Sequence, residues 1–460
     1  MSLNLHFCRC RPDHAAWGGS IVPGLKRGCR SSVILWAVRS ALALPECFRD
    51  SVCMPSPWDS ARKKLARTPT PETSRPTDFT MVARTMRGLE DVLARELEEL
   101  GARAVRRESL AVSFTGDNAL LYRANLYLYT ALRILKPILR FSISKQDDLY
   151  SRMQRHNWAK HLGVEDTFAI DTAVHSPLFS NSQFVAFRAK DAIVDQFRDR
   201  TGKRPSVDLR EPDLRLHIHI NQKQCTVSLD STGESLHRRG YRTNPVRASI
   251  SEVLAAGMIK LSGWKYDEPF VDPMCGAGTI AIEAALQGLG VAPGLSRDRF
   301  GFHNWPDFEI DLWQRIRREA RSRADENMRT RTVSIHASDA SRQAVQWARR
   351  NLREAGLPRE AVQFETASLI NFRPPPGPGT VIMNPPYGER MPEPEIEALY
   401  KSIGDAMKQN FTGYSAWIIS SNREALKRIG LRASEKHQLY NGPLECSFRR
   451  YELYEGTAEV

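Results

Sequence analysis

Hydrophobic and polar positions fall into order at Phe79 and keep it almost to the C-terminus. Phe79–Arg84 reads as a short strand. Between Gly88 and Leu100, the residues Leu89, Val92, Leu93, Leu97 and Leu100 share one helical face, and Gly101 ends it. Alternation returns over Ala111–Phe114, and Ala119–Leu135 is expected to be a second amphipathic helix. Strand, helix, strand, helix in so short a span implies a small α+β unit over residues 79–145. Residues 146–235 form another. There Thr167–Val174 is strand-like, and Phe184–Arg200 is a helix turning Val185, Ala189, Ala192, Ile193 and Phe197 inward. Leu214–Ile220 and Gln224–Asp230 alternate strictly and are expected to pair as a hairpin.

The rhythm changes near residue 245 and holds to 456. A helix over Ile250–Leu261 precedes the buried strand Pro269–Asp272, a Gly-rich turn and a helix over Thr279–Gln287. After an insertion, 288–331, ending in a basic helix, come a strand at Val333–Ala337 and a helix at Arg342–Glu354 closed by Gly356. Val362–Thr366, Val381–Asn384 and Ala416–Ser420 are further strands. Such a βαβ series implies an α/β domain with a parallel, Rossmann-like sheet flanked by helices.

Residues 1–78 carry no sustained period and end in a Pro/Thr/Ser-rich run, so they are expected to be a disordered extension. They hold twelve Lys and Arg against six Asp and Glu, about half of the chain's net charge of +13. An excess of that size points to a polyanionic partner, nucleic acid before any other. No apolar run reaches the length of a membrane span and no signal peptide is evident, so the cytoplasm is the expected location. Five of the eight cysteines crowd into the first 53 residues at spacings that match no zinc site. His217 and His219 share a strand face but have no third ligand, so no metal is expected and both are read as facing solvent or RNA.

Three motifs carry chemistry. Val271-Asp-Pro-Met-Cys-Gly-Ala-Gly-Thr-Ile280 follows a strand and opens a helix. Ligands of such sheets bind beyond the carboxyl ends of the strands. Gly276 and Gly278 leave room there, and Asp272 offers an acceptor to a cationic amine. The turn lacks both dinucleotide spacing and a P-loop Lys, so acid plus glycines suits an aminoacid-bearing cofactor. Asp339, ending the next strand, has paired oxygens for ribose hydroxyls and can equally cap the helix at Arg342. The most specific motif is Val381-Ile-Met-Asn-Pro-Pro-Tyr-Gly-Glu-Arg390. The Asn384 side-chain oxygen and the Pro385 carbonyl can both accept from an aryl NH₂ group. Pro385 and Pro386 stiffen the corner, and Tyr387 offers a face for base stacking.

These residues, with His237-Arg-Arg-Gly-Tyr-Arg242, Ala292-Pro-Gly-Leu295, Phe300-Gly-Phe302 and Tyr440-Asn-Gly-Pro-Leu-Glu-Cys446, resemble the THUMP-domain rRNA guanine-N2 methyltransferases. The likeness covers roughly residues 79–454 and is to the N-terminal half of the fused bacterial enzymes that modify 23S rRNA. It implies a ferredoxin-like unit plus THUMP for RNA binding, and a catalytic domain using S-adenosyl-L-methionine. It places Asp272, Met274, Gly276, Gly278, Thr279, Asp339 and Ser368 at cofactor positions and Asn384, Pro385, Pro386 and Tyr387 at the catalytic motif. The expected reaction moves a methyl group from the sulfonium to the exocyclic N2 of a guanine in large-subunit rRNA. A tRNA guanine and a non-catalytic RNA-binding protein are the alternatives. Ser341 and Ser368 stand where the family commonly has acids.

Overall fold

The computed structural model describes residues 78–242, 250–387 and 392–454. The expected extension, apart from Asp78, thus lies outside the described residues, as do Gly388, Glu389 and Arg390 of the Asn-Pro-Pro-Tyr segment.

The chain opens with β1 (Phe79–Arg84) and α1 (Glu90–Glu99), which buries Val92, Leu93 and Leu97. An arginine-rich strand without clear alternation, β2 (Arg103–Glu108), follows, and then β3 (Ala111–Gly116). The next helix, α2 (Asn118–Tyr127), stops well short of the expected Leu135, and residues from Arg133 belong to β4 (Arg133–Ser142). The cause is tertiary. The buried Glu96 carboxylate accepts the amides of Tyr129 and Thr130 at 3.2 and 3.0 Å, claiming donors that a continuing helix would need.

After α3 (Gln146–Arg155) come β5 (Thr167–His175), α4 (Ser182–Thr201), β6 (Ser206–Val207), β7 (Leu214–Asn221) and β8 (Gln224–Asp230). All eight strands join one sheet, ordered β2-β3-β1-β4-β8-β7-β5-β6. In the hairpin, Leu216, Ile218 and Ile220 lie opposite Leu229, Val227 and Cys225, all buried. β4 pairs with β1 on one side and β8 on the other, and its register shifts beside Pro137, where a missing N–H is tolerated. His217 departs from its expected exposure. It is buried, with Nε2 3.1 Å from Arg84, and burial followed by that guanidinium pushes its pKa down to about 4. His219, two residues on, is exposed.

The second half begins with α5 (Glu252–Ser262), β9 (Phe270–Asp272) and α6 (Thr279–Gly288). The insertion contains α7 (Ile310–Thr330), after which come β10 (Ile335–Asp339), α8 (Arg342–Glu354), β11 (Gln363–Thr366) and β12 (Gly379–Met383). The chain closes with α9 (Glu393–Asn410), β13 (Tyr414–Ser420), α10 (Arg423–Lys427), β14 (Glu435–Asn441) and β15 (Leu444–Glu452). Strand order is β11-β10-β9-β12-β13-β15-β14. The first five strands are parallel, and the closing hairpin is antiparallel. Alternate strand residues feed two cores: Phe270, Ile382, Trp417 and Ile419 one, Val271, Val381, Met383 and Ile418 the other. Burial on both faces explains why these strands read as continuous apolar runs.

Buried contacts from Arg239 and Tyr241 fasten the two halves together. Arg239 lies 3.4 Å from Glu283 of α6 and donates to the Tyr129 and Leu236 carbonyls at 2.5 and 2.7 Å. The Tyr241 hydroxyl donates to the same carboxylate at 3.1 Å. Tyr129 in turn donates to the carbonyls of Leu286 and Val291, at 3.1 and 2.8 Å. Among the described residues no helix is long and apolar enough to cross a membrane.

Candidate active site

In the catalytic sheet the strand order reverses between β9 and β12. Connections run from β9 outward through β10 to β11, and from β12 outward to β13. A crevice opens at such a switch point, beyond the carboxyl ends of the strands. The register puts the singled-out residues around it. Asp272 ends β9 and pairs with Ala337 of β10, two residues before Asp339, while Val381 of β12 pairs with Val271, so Asn384 follows at the same end. Ser368 follows β11.

The Gly-rich turn is held from below. The Cys275 amide donates to the Ser338 carbonyl at 2.9 Å, and Asn351 of α8 donates to the Ala277 carbonyl at 3.0 Å. The two glycines do different work. Gly276 has φ +53°, and a Cβ there would meet nothing within 4 Å, so its backbone faces open space. Gly278 has φ +83°, and a Cβ would come within 2.8 Å of the Ala348 Cβ; its role is the close approach of turn and α8. Thr279 is buried, and its hydroxyl accepts from Arg242 at 2.8 Å, while Arg242 also reaches Glu252 at 3.1 Å. Met274 is half-buried against the second core.

Asp272 is fully buried, and neither carboxylate oxygen has a partner of good hydrogen-bond geometry among the described residues. The amides of Met274 and Ala281 come near enough to offset only part of the cost. Burial, and then the charge of Asp339, drive its pKa up to about 8. An orphaned buried acid is costly unless a ligand completes it. Asp339 is better provided. One oxygen accepts the Gly276 amide at 2.9 Å and the other the Ser341 amide at 2.8 Å, leaving lone pairs for a further donor. Ser341 is the N-cap of α8, its hydroxyl accepting from Ala344 at 3.3 Å. The Ser368 carbonyl accepts the amides of Asn371 and Phe372, and its side chain is half-exposed. An unmet carboxylate, an open glycine backbone and a second carboxylate one strand over suit a ligand bearing both an ammonium group and a ribose.

At the end of β12, Pro385 is buried and Pro386 exposed. The Asn384 side-chain oxygen is buried and has no hydrogen-bond partner among the described residues. Two contacts brace the corner. The Tyr400 hydroxyl donates to the Pro386 carbonyl at 3.4 Å, and the Asn441 side-chain amide donates to the Tyr387 hydroxyl at 2.8 Å. The brace by Asn441 comes from the end of β14 in the closing hairpin, which the sequence patterning does not reveal; Asn351 and Arg242 are likewise partners that only the fold brings in.

A doubly wound sheet with this acid-and-glycine turn at its switch point and an Asn-Pro-Pro-Tyr corner beside it defines an S-adenosylmethionine-dependent methyltransferase. Residues 239–450 match the methyltransferase domain described as RMKL-like, residues 144–230 the THUMP domain and residues 80–135 the RlmL ferredoxin-like domain. The chain belongs to this methyltransferase family. It is 40% identical over 369 residues to a Synechocystis protein provisionally named an RNA methyltransferase, covering 80% of this chain and 95% of that one. It is 39% identical to the ribosomal RNA large subunit methyltransferase K/L of Syntrophotalea carbinolica, covering 80% of this chain but 53% of that enzyme, about half its length. A protein provisionally named a methyltransferase and crystallised in complex with SAH superimposes with a TM-score of 0.74 at 31% identity, over 83% of this chain and all of the other.

Proposed function

We propose that this chain methylates the exocyclic N2 amine of a guanine in large-subunit rRNA, as a cytoplasmic enzyme. The observation that carries the reading is the buried oxygen of Asn384 at the switch point, across one strand interface from the carboxylate of Asp272, both without a hydrogen-bond partner among the described residues. Each wants a donor: an aryl amine for the first, the ammonium group of S-adenosylmethionine for the second. The names of the relatives, which act on ribosomal RNA, supply the substrate class.

Bound S-adenosylmethionine supplies a methyl group already activated as a sulfonium, so the protein's own contribution is positional. Asp272, Gly276 and Asp339 would hold the cofactor. Asn384 and the Pro385 carbonyl accept the two N–H bonds of the guanine amine, which turns the nitrogen lone pair out of conjugation with the ring and toward the crevice. Alignment of two reactants can lower a barrier by roughly 7–11 kcal/mol. The target base leaves its stack to enter, at a cost of a few kcal/mol that is smallest for an unpaired nucleotide.

The test is transfer of labelled methyl from S-adenosylmethionine to protein-free 23S rRNA and, in parallel, to bulk tRNA. Incorporation into the rRNA alone is expected. Incorporation into tRNA alone would replace the ribosomal reading by its nearest rival.

A further inference from the structure

Away from the switch point, a cleft of about 710 Å³ opens where the two halves of the chain meet. Its walls are Arg133 and Arg215 from the N-terminal sheet, the 209–213 loop, the 233–240 segment, and residues 296–304 from the insertion of the catalytic domain. Seven arginines line it against five carboxylates. Most of those acids are already engaged: Asp171 with Arg215 at 3.3 Å, Glu234 with Arg238 at 2.6 Å, and Asp213 with the Thr167 amide and hydroxyl at 2.9 and 2.8 Å.

The arginine at the floor is unusual. Arg297 is 8% exposed, yet no carboxylate lies within ion-pair distance of it among the described residues. Among the described residues its terminal nitrogens donate to carbonyls only, those of Thr232, Glu234, Ser235 and Arg238, and its Nε is buried with no partner. With its terminal N–H groups all given to carbonyls, this guanidinium shapes the wall of the cleft and adds a positive charge that no carboxylate at ion-pair distance offsets among the described residues. On the rim, Arg299 is exposed and reaches Asp213 only at 3.7 Å, and Arg210 is exposed with no carboxylate at ion-pair distance among the described residues. The cleft is also fixed in shape, since Asn304 donates to the Asp213 carbonyl at 3.1 Å across its mouth and Arg297 ties down the 232–238 segment.

We infer that this cleft is a phosphate-binding groove that grips the sugar–phosphate backbone of the RNA substrate between the N-terminal sheet and the catalytic domain. Guanidinium forks match phosphate oxygens in geometry, and a wall of them binds backbone without reading sequence. On α7, outside the cleft lining, Arg317 donates to the Arg297 carbonyl at 3.4 Å, and Arg315, Arg318 and Arg321 are exposed. This inference rests on the reading of the chain as an RNA methyltransferase.

The test is equilibrium binding of protein-free 23S rRNA by the whole chain across a range of KCl concentrations, for wild type and for the double variant Arg210→Ala/Arg299→Ala. Both side chains are exposed, so the fold should survive, and unchanged affinity for S-adenosylmethionine will show that it has. Loss of two phosphate contacts should weaken binding on the order of tenfold and make the slope of log K against log salt shallower by about 1.4–1.8. Arg210→Lys/Arg299→Lys should recover most of the affinity. A double-alanine variant that binds with wild-type affinity and slope overturns the groove, even if rRNA is methylated normally. A weakened variant, in a protein that transfers no methyl to any RNA, leaves the groove standing and removes the catalytic reading instead.

Discussion

Replacing Asn384 by Ala should lower the rate of methyl transfer by at least about 10²–10³-fold while leaving the affinity for S-adenosylmethionine within a few-fold of wild type. The magnitude follows that of removing one preorganised polar group aimed at a reacting centre. Asn384 lies past the end of β12, in a corner braced from α9 and from the closing hairpin, so shortening it removes an acceptor without unfastening the turn. Its oxygen has no protein partner among the described residues, so the substitution leaves no orphaned donor behind. Cofactor affinity is the control, because Asp272, Gly276 and Asp339 stand on β9, β10 and the loop between β9 and α6. Single-turnover kinetics with calorimetry separate the two quantities. A variant that turns over like wild type would remove Asn384 from the chemistry; one that loses cofactor binding in proportion would make it a structural residue.

The second large effect is on stability. Arg239→Ala strips the counter-charge from Glu283, which is fully buried, and takes donors from the Tyr129 and Leu236 carbonyls. Removing one member of a buried pair costs roughly 3–5 kcal/mol, because the other charge stays behind. Burial already raises the pKa of Glu283, and Arg239 is the main influence opposing that rise. Denaturant unfolding should therefore show a large loss, and Arg239→Met/Glu283→Leu, with no charge left to strand, should recover much of it. A loss below about 1 kcal/mol in the single variant would mean that the pair does not hold the two halves together.

Much of this was legible in the sequence, for identifiable reasons. Strands β7 and β8 alternate cleanly because one face of their sheet is core, and β9, β12 and β13 read as apolar runs because both faces are. The overrun of α2 arises because Leu126, Leu128, Tyr129 and Ala131 are all buried and no Gly or Pro interrupts them, so periodicity alone continues the helix. Glu96, which stops it, is some thirty residues away. The closing hairpin is hard to read because β14 is only weakly buried and β15 begins exposed; Gly442-Pro443 at its turn, with Gly442 at φ +60°, is the available signal. At the candidate site, the chemistry proposed for Asp272, Gly276, Asp339 and Asn384 is intrinsic to those residue types, so the sequence alone singles them out. What could not be read were their supports. Gly278 answers to Ala348, Thr279 to Arg242 and Tyr387 to Asn441, and each pairing is made by the fold.

Capture of a guanine by its exocyclic amine, in a carbonyl-lined corner beside a methyl donor, is the step on which the proposed activity turns. Mass spectrometry of nucleosides from 23S rRNA methylated by the purified chain tests it most directly. N2-methylguanosine as the product, absent with Asn384→Ala, is the expected result. N6-methyladenosine, a ring-carbon methyl, or full yield of N2-methylguanosine from the Asn384 variant would contradict it.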